Sequence, residues 1–239
     1  MVYLLCSVIR PWQRCSVQQP FKIWQDIYLV GSAEISHQYD CCVYLISGRE
    51  ILLIDSGAGL SSDKIVHNIA KLKLSPKNIK AVLATHAHID HIGSLRWFKD
   101  KYQAQIIAHE LDADAIESGI GTAAEVYGVD YSPCPIDIRL SKGEEKVQIG
   151  DRVLNIVHIP GHTAGSIAAF IDSGGKRILF GQDIHGPYIP EWGADRNLAA
   201  ASLQKLINLK ADILCEGHFG IFQPAEDVRR YIEYYMDTL

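Results

Sequence analysis

The stretch AVLATHAHIDHIGSL, residues 81–95, is the feature that most constrains this chain. Directly behind its apolar run lie four side chains of metal-binding type within six residues, namely His86, His88, Asp90 and His91. Imidazole nitrogens and carboxylate oxygens are common ligands of zinc and other transition metals. Because one short segment cannot enclose an ion by itself, the fold must bring partners to it from elsewhere in the chain.

Three more side chains of this type follow apolar segments in the second half of the chain. His162 follows VLNIVHI in PGHTAGS, Asp183 follows RILF in GQD, and His218 follows ADILC in EGHFG. Each lies near glycine, which lets the backbone approach an ion closely. Loops at strand ends commonly carry binding residues. Seven ligand-type side chains delivered in this way indicate two ions rather than one.

Strands and helices are predicted in two successive sets, from apolar runs, alternation and helical periodicity. The predicted strands are 23–30, 42–47, 51–54, 79–84 and 104–109, and then 153–159, 166–171, 177–180 and 211–215. The predicted helices are 61–74, near 91–102, 110–118, 196–209 and 224–239. The segment 119–135 reads as a loop, either a lid over the site or a plain connection. Two mixed sheets packed together, with helices outside, accommodate this order.

Charge and cysteine content limit the partners and the compartment. The formal net charge of −5 gives no basic footprint for nucleic acid. No apolar run reaches the roughly 18–20 residues of a membrane span. None of the six cysteines forms a CxxC pattern, so we predict reduced, buried thiols and a cytoplasmic location. We expect a small-molecule substrate, no membrane and no nucleic acid. The oligomeric state is not fixed, and a homodimer is among the states allowed.

The HAHIDH motif, followed in order by the histidine of PGHT, the aspartate of GQD and the histidine of EGH, resembles the metallo-β-lactamase superfamily. The resemblance covers about residues 21–239. It implies an α/β (α+β) fold, a four-layer αββα sandwich of two mixed β-sheets flanked by helices, with the metals at one edge of the sheets. It also implies an N-terminal extension at residues 1–20 and one metallo-β-lactamase-like domain over residues 21–239.

The same resemblance implies a role for each ligand-type side chain. The first metal would be bound by His86, His88 and His162, the second by Asp90, His91 and His218, and both by Asp183 as a bridge. Asp55, in LLIDSG, matches an early aspartate of the family that orients ligands from behind, and a metal-bound imidazole does need its other N–H fixed. Asp90 and Asp183 would be the catalytic carboxylates.

The chemistry expected of such a site follows from its charge. Nitrogen and oxygen ligands without thiolate suit two Zn²⁺, with iron or manganese as alternatives. Two such ions lower the pKa of bound water and stabilise a developing oxyanion. We therefore expect a dinuclear metal-dependent hydrolase in which a metal-bridging hydroxide attacks a small ester, thioester or lactone.

Two other reactions of the same fold remain open. One is that of a mononuclear iron persulfide dioxygenase, for which His86, His162 and Asp183 would supply two imidazoles and one carboxylate. The other is that of a phosphodiesterase or ribonuclease. A true β-lactamase is disfavoured, because the position that matches Asp183 in those enzymes is typically cysteine or serine.

Four residues are candidates for substrate contact. His185, Tyr188 and Trp192 lie just after the GQD motif in IHGPYIPEWG, and His37 lies ahead of an early strand. For each of them a purely structural or solvated role is the alternative.

Overall fold

A computed structural model describes residues 18–239 and shows thirteen strands in two sheets. The strands are β1 (Phe21–Trp24), β2 (Ile27–Gly31), β3 (Val43–Ser47), β4 (Ile51–Ile54), β5 (Ile79–Leu83), β6 (Gln105–His109), β7 (Ile138–Leu140), β8 (Glu144–Ile149), β9 (Arg152–His158), β10 (Ile167–Ser173), β11 (Lys176–Gln182), β12 (Ile213–Glu216) and β13 (Gly220–Phe222). The predicted N-terminal extension, residues 1–20, falls almost entirely outside the described range.

Seven α-helices join these strands. They are α1 (Ser62–Lys71), α2 (Ile89–Ile92), α3 (Leu95–Tyr102), α4 (Ala113–Ser118), α5 (Ala124–Tyr127), α6 (Arg196–Asn208) and α7 (Ala225–Met236). Short 3-10 turns lie at Pro76–Asn78, Glu110–Asp112 and Pro190–Trp192. None of the helices in the described part of the chain is long and apolar enough to cross a membrane.

Both sheets are mixed. The first contains β1 to β7 in chain order, antiparallel up to β4 and parallel from β4 to β7. The second runs in the order β13-β12-β11-β10-β9-β8, and its β11–β12 pair is parallel while its other pairs are antiparallel.

The two sheets pack face to face, and each is covered by helices on its outer face. In β2, Ile27 and Leu29 point into the core between the sheets, whereas Tyr28 and Val30 point to the outer core. This alternation follows from the period of two along a strand. The outer face of the first sheet packs against α1, α3 and α4, and that of the second against α6 and α7. The predicted four-layer αββα sandwich is thus confirmed.

Some predicted elements differ in their boundaries. The predicted strand 23–30 is two strands, because Gln25 adopts a φ of 44° and turns the chain. The helix predicted near 91–102 is likewise divided into α2 and α3. The loop 119–135 contains α5, and three short strands, β7, β8 and β13, were not expected. They are three to six residues long, so little periodicity marks them in the sequence.

The described cysteines are reduced and buried, as predicted. Cys41, Cys42, Cys134 and Cys215 are free thiols, and burial raises the pKa of Cys42 to about 12. The other two cysteines, Cys6 and Cys15, lie outside the described residues.

Parallel strands near the centre of each sheet carry the ligand-type loops to one edge. In the first sheet, Asp55 follows β4 and His86 comes shortly after the neighbouring β5, and these strands are parallel. In the second sheet, Asp183 and His218 come just after β11 and β12, which are also parallel. Carboxyl ends of parallel neighbours lie at the same edge, so the side chains that follow them converge.

Candidate metal centre

Three imidazoles form the first group of ligand-type atoms. One ligand atom from each of His86, His88 and His162 lies within 4.8 Å of the others, and all three residues are buried. His86 Nε2 is 3.1 Å from His88 Nδ1. Two nitrogens bound to one tetrahedral zinc ion at ~2.1 Å would lie about 3.4 Å apart. The spacing of these two nitrogens therefore suits a shared ion.

Two imidazoles and two carboxylates form the second group. His91 Nε2 is 3.3 Å from His218 Nε2, and His218 Nε2 is 3.1 Å from Asp90 Oδ2. The fourth member is Asp183, and the ligand atoms of all four lie within 4.8 Å of one another.

Asp183 lies between the two groups. Its Oδ1 is 3.2 Å from His91 Nε2, and its Oδ2 is 3.3 Å from His218 Nε2 and 3.5 Å from His162 Nε2. The seven predicted ligand-type residues are thus brought together, in the two sets that the family resemblance implied.

The donor atoms present fit divalent metal ions. His162 Nε2 is buried and makes no hydrogen bond within the described part of the chain, and the same is true of Asp183 Oδ1. A buried polar atom without a partner is costly. A metal ion satisfies such an atom, and imidazole nitrogen with carboxylate oxygen suits zinc, iron and manganese.

Hydrogen bonds behind the ligands set which ring nitrogen faces the centre. His91 Nδ1 donates to Asp55 Oδ2 at 2.7 Å. The hydroxyl of Thr85 donates to Asp55 at 2.8 Å and lies 3.2 Å from His86 Nδ1, whose N–H it accepts. His162 Nδ1 donates to the carbonyl of Pro187 at 3.1 Å. Each of these bonds leaves Nε2 with a free lone pair, as metal binding requires.

Cys41 lies close to this network. Its sulfur, a carboxylate oxygen of Asp55 and a ring nitrogen of His91 lie within 4.8 Å of one another. Burial raises the pKa of the Cys41 thiol well above its usual value. The two groups described above contain only imidazole nitrogens and carboxylate oxygens.

Without metal, the centre carries strongly shifted pKa values. Burial lowers the pKa of His162 to about 3. Burial would also lower the pKa of His218, but the carboxylates of Asp183 and Asp90 outweigh it and raise the value to about 10. Burial would raise the pKa of Asp183, but the imidazoles of His218 and His91 hold it well below its usual value. The charges of the cluster therefore depend on one another.

Three of the four candidate substrate residues, namely Trp192, Tyr188 and His185, border the ligand-type side chains. The ring of Trp192 is 5.9 Å from that of His88. The ring of Tyr188 is 6.0 Å from that of His162, and its hydroxyl donates to the carbonyl of Ile184 at 3.0 Å.

His185 and His37 differ from each other in their surroundings. His185 packs 5.2 Å from the ring of His218 and donates from Nδ1 to Glu216 Oε1 at 2.7 Å. His37 instead contacts Tyr39, with ring centroids 5.2 Å apart. The substrate contact predicted for His37 stays a prediction.

Sequence reasoning missed two buried carboxylates beside the centre. Glu216 Oε2 accepts the backbone N–H of His218 at 2.7 Å, and its position just ahead of the GH motif at a strand end is a signal that could have marked it. Asp112 joins two ligand loops, and nothing in ELDADAIES distinguishes it from the exposed Asp114.

The family model of the metallo-beta-lactamase superfamily matches residues 39–218 of this chain. A probable metallo-hydrolase of Bacillus subtilis is 32% identical over 132 residues, covering 54% of this chain and 58% of that protein. An acyl-coenzyme A thioesterase, MBLAC2 of Gallus gallus, is 28% identical over 208 residues, covering 75% of this chain and 73% of that protein. The match to this chain covers 58% of the Bacillus protein and 59% of an uncharacterized Aquifex aeolicus protein. Both shares are less than two-thirds of the relative's length.

Solved structures agree on the fold. The native FEZ-1 metallo-beta-lactamase of Legionella gormanii superposes with a TM-score of 0.77 at 23% identity, covering 92% of this chain and 93% of that one. At this identity the likeness speaks for the fold alone. The family model, however, spans most of the chain and includes the segments that carry the two groups of ligand-type side chains. The chain therefore belongs to the metallo-β-lactamase superfamily.

Proposed function

We propose that this chain is a dinuclear metal-dependent hydrolase that acts on a small ester, thioester or lactone. The observation that carries the proposal is the position of Asp183, whose oxygens lie 3.5 Å from His162 Nε2 in one group and 3.2 Å from His91 Nε2 in the other. A carboxylate placed in this way is suited to binding two ions at once.

The ligand roles in the proposal are those that the two groups suggest. The first ion would be held by His86, His88 and His162, the second by Asp90, His91 and His218, and both by Asp183. Zinc is the ion that we propose, because the set offers nitrogen and oxygen without thiolate and zinc imposes no rigid geometry.

The bound ions would lower the pKa of water and stabilise negative charge on the substrate oxygen. The chain's own side chains hold and shape the site. Asp55 and Pro187 fix the imidazole orientations, Asp90 and Asp183 offset the positive charge, and Trp192 and Tyr188 border the ligand set on the side of His88 and His162.

A thioester is the substrate type with the most support. The Gallus gallus relative carries the name of an acyl-coenzyme A thioesterase, and the match covers 73% of it. A thioester carbonyl also suits attack by a metal-activated water, because its thiolate is a good leaving group.

The iron dioxygenase is the competing reaction. His86, His162 and Asp183 lie close enough for a set of two imidazoles and one carboxylate, with the two rings 4.7 Å apart. However, His91 and His218 extend the cluster beyond that set. The additional ligands favour two ions and hydrolysis.

We further propose that residues 21–239 form one domain behind an N-terminal extension, and that the protein acts on its small-molecule substrate in the cytoplasm. The four buried free thiols support a reducing compartment.

The first experiment is elemental analysis of protein purified without added metal or chelator, followed by a panel of thioesters, lactones and phosphodiesters. Two zinc ions per chain, with hydrolysis of a thioester or lactone, is the expected result. One iron per chain with oxygen uptake on a persulfide would replace the proposal with the dioxygenase. Cleavage of phosphodiesters alone would replace it with a phosphodiesterase.

A further inference from the structure

Asp112 is a buried carboxylate that belongs to neither ligand group. It ends the 3-10 turn that follows β6 and is 5% exposed. Its neighbour two residues on, Asp114, is exposed. Burying a carboxylate is costly unless hydrogen bonds satisfy both oxygens, so the partners of Asp112 show what this position holds together.

Those partners come from two separate loops. Asp112 Oδ2 accepts the backbone N–H of Ala87 at 2.9 Å and the hydroxyl of Thr163 at 2.7 Å. Its Oδ1 accepts the backbone N–H of Gly165 at 2.7 Å. All three donors are neutral, and all three lie in the loops that carry the imidazoles of the first group.

Ala87 lies between His86 and His88 in the sequence, and Thr163 directly follows His162. The loop of Ala87 follows a strand of the first sheet, and the loop of Thr163 follows a strand of the second. One side chain therefore connects, across the two sheets, the segments that provide all three imidazoles of the first group.

The glycine of the PGHTAGS motif is part of the same arrangement. A Cβ atom built on Gly165 would lie 2.6 Å from Asp112 Cγ and 2.6 Å from its backbone nitrogen. No real Cβ contact is that short, so only glycine lets the loop reach the carboxylate. The position of Asp112 thus explains why this loop has glycine at position 165.

We propose that Asp112 is a positioning residue for the three-imidazole half of the metal centre. Its hydrogen bonds go to Ala87, Thr163 and Gly165 rather than to a ligand-type side chain, and it acts by holding Ala87 and Thr163 in register. This inference rests on the proposed metal centre, and it assigns Asp112 to one half of that centre only.

The substitution Asp112→Asn tests this role with little change of shape, although it also removes a negative charge that acts on His88. Thr163→Val tests the same role without a change of charge. An amide has one oxygen and one NH₂ group, so at least one N–H or O–H donor would face another donor. The loop that lost its acceptor would shift, and with it an imidazole of the first group. Loss of an outer hydrogen-bond partner typically weakens metal affinity by about 10–100-fold.

The test is titration of metal-free protein with Zn²⁺ in competition with a chromophoric chelator, together with the visible spectrum of bound Co²⁺, which responds to the ligands. Neither readout depends on turnover. The wild type is expected to bind two equivalents. Asp112→Asn is expected to bind one equivalent normally and the other about 10–100-fold more weakly. Thr163→Val, which removes one donor, should change the same equivalent by less.

Two variants serve as controls. Asp114→Asn makes the same chemical change at an exposed position in the first turn of the adjoining helix α4 and should bind like the wild type. Asn68→Ala removes a buried side chain that donates to the carbonyls of Val30 and Ile35. Asn68→Ala should lower the free energy of unfolding without weakening the binding of one metal equivalent more than that of the other.

Each outcome decides one of the two proposals. Equal weakening of both equivalents in Asp112→Asn, or the same selective loss in Asn68→Ala, would overturn the positioning role while leaving the metal centre standing. Wild-type affinity in a folded Asp112→Asn would do the same. If Asp112→Asn does not fold, an unchanged titration of Thr163→Val overturns the role. A wild type that binds fewer than two ions would overturn the dinuclear centre itself.

Discussion

Asp55 shows how one side chain can orient two ligands. Its carboxylate accepts the N–H of His91 at 2.7 Å and the hydroxyl of Thr85 at 2.8 Å, and that hydroxyl in turn lies 3.2 Å from His86 Nδ1. Both imidazoles then present Nε2 to the centre. A ligand held in one tautomer and one rotamer binds metal without first losing conformational entropy.

The substitution Asp183→Ala removes a carboxylate that lies against both groups. We expect kcat/KM for the hydrolysed substrate to fall by at least about 100-fold, and the metal content to fall below two ions per chain. Elemental analysis and steady-state kinetics measure the two effects. Asp130→Ala, at an exposed position, is the control. Full turnover with two bound ions in Asp183→Ala would show that the carboxylate is not a bridge.

The substitution His185→Ala addresses a side chain beside the centre that is outside the ligand set. We expect two ions to stay bound and kcat/KM to fall by about tenfold, the equivalent of one lost hydrogen bond. Metal analysis with kinetics on the same preparation checks this, with the exposed His67→Ala as control. If His185→Ala loses metal, then His185 is a ligand.

At the scale of elements, the short helix α2 carries Asp90 and His91 and is held by a close backbone contact at its end. Gly93 has an ordinary helical φ of −57°, so glycine is not needed there for conformational freedom. A Cβ atom at this position, however, would lie 2.1 Å from the carbonyl carbon of Ala58. Close approach of two backbones therefore places the ligands of α2 against the loop that follows Asp55.

We expect Gly93→Ala to lower the free energy of unfolding by about 2 kcal/mol or more, since backbone must move to admit the methyl group. Urea unfolding measures the change. Gly143→Ala is the matched control, because a Cβ there meets nothing within 4 Å, and we expect a change within about 0.5 kcal/mol. Equal values for the two variants would contradict the packing argument.

At the scale of the whole molecule, the centre joins the two sheets. Four of its ligand-type residues follow β5 of the first sheet, and the remaining three, His162, Asp183 and His218, follow strands of the second. Bound ions would therefore fasten one sheet to the other at this edge. They would also satisfy buried atoms, such as His162 Nε2, that have no hydrogen-bond partner in the described residues.

Removal of metal with a chelator should for this reason lower the unfolding temperature. A ligand present at about 100 times its Kd stabilises by roughly 2.7 kcal/mol, which corresponds to about 5–10 °C for a chain of this size. Thermal unfolding followed by circular dichroism measures the shift, and added Zn²⁺ should restore it. The shift should be smaller in Asp183→Ala. An unfolding temperature indifferent to chelator would argue against ions that link the sheets.

Much of the fold was predictable because its signals are local. The segment 81–95 and the motifs PGHT, GQD and EGH indicate ligand-type residues at strand ends. Continuous apolar runs such as 42–47 indicate strands buried on both faces. Boundaries were less accurate where a single backbone angle decides them. Gln25 turns the chain between β1 and β2, although IWQDIYLV reads as one strand.

By itself, the sequence determined which residues can bind metal, their order along the chain, and the two successive sets of strands and helices. Hydrophobic period and residue type are properties of neighbours in the chain, so they can be read without a structure. The tertiary structure alone decided that Asp112 meets Thr163, 51 residues away, and that Glu216 accepts from His185. Such contacts depend on how the two sheets are placed against each other, and nothing in the local pattern of ELDADAIES encodes that placement.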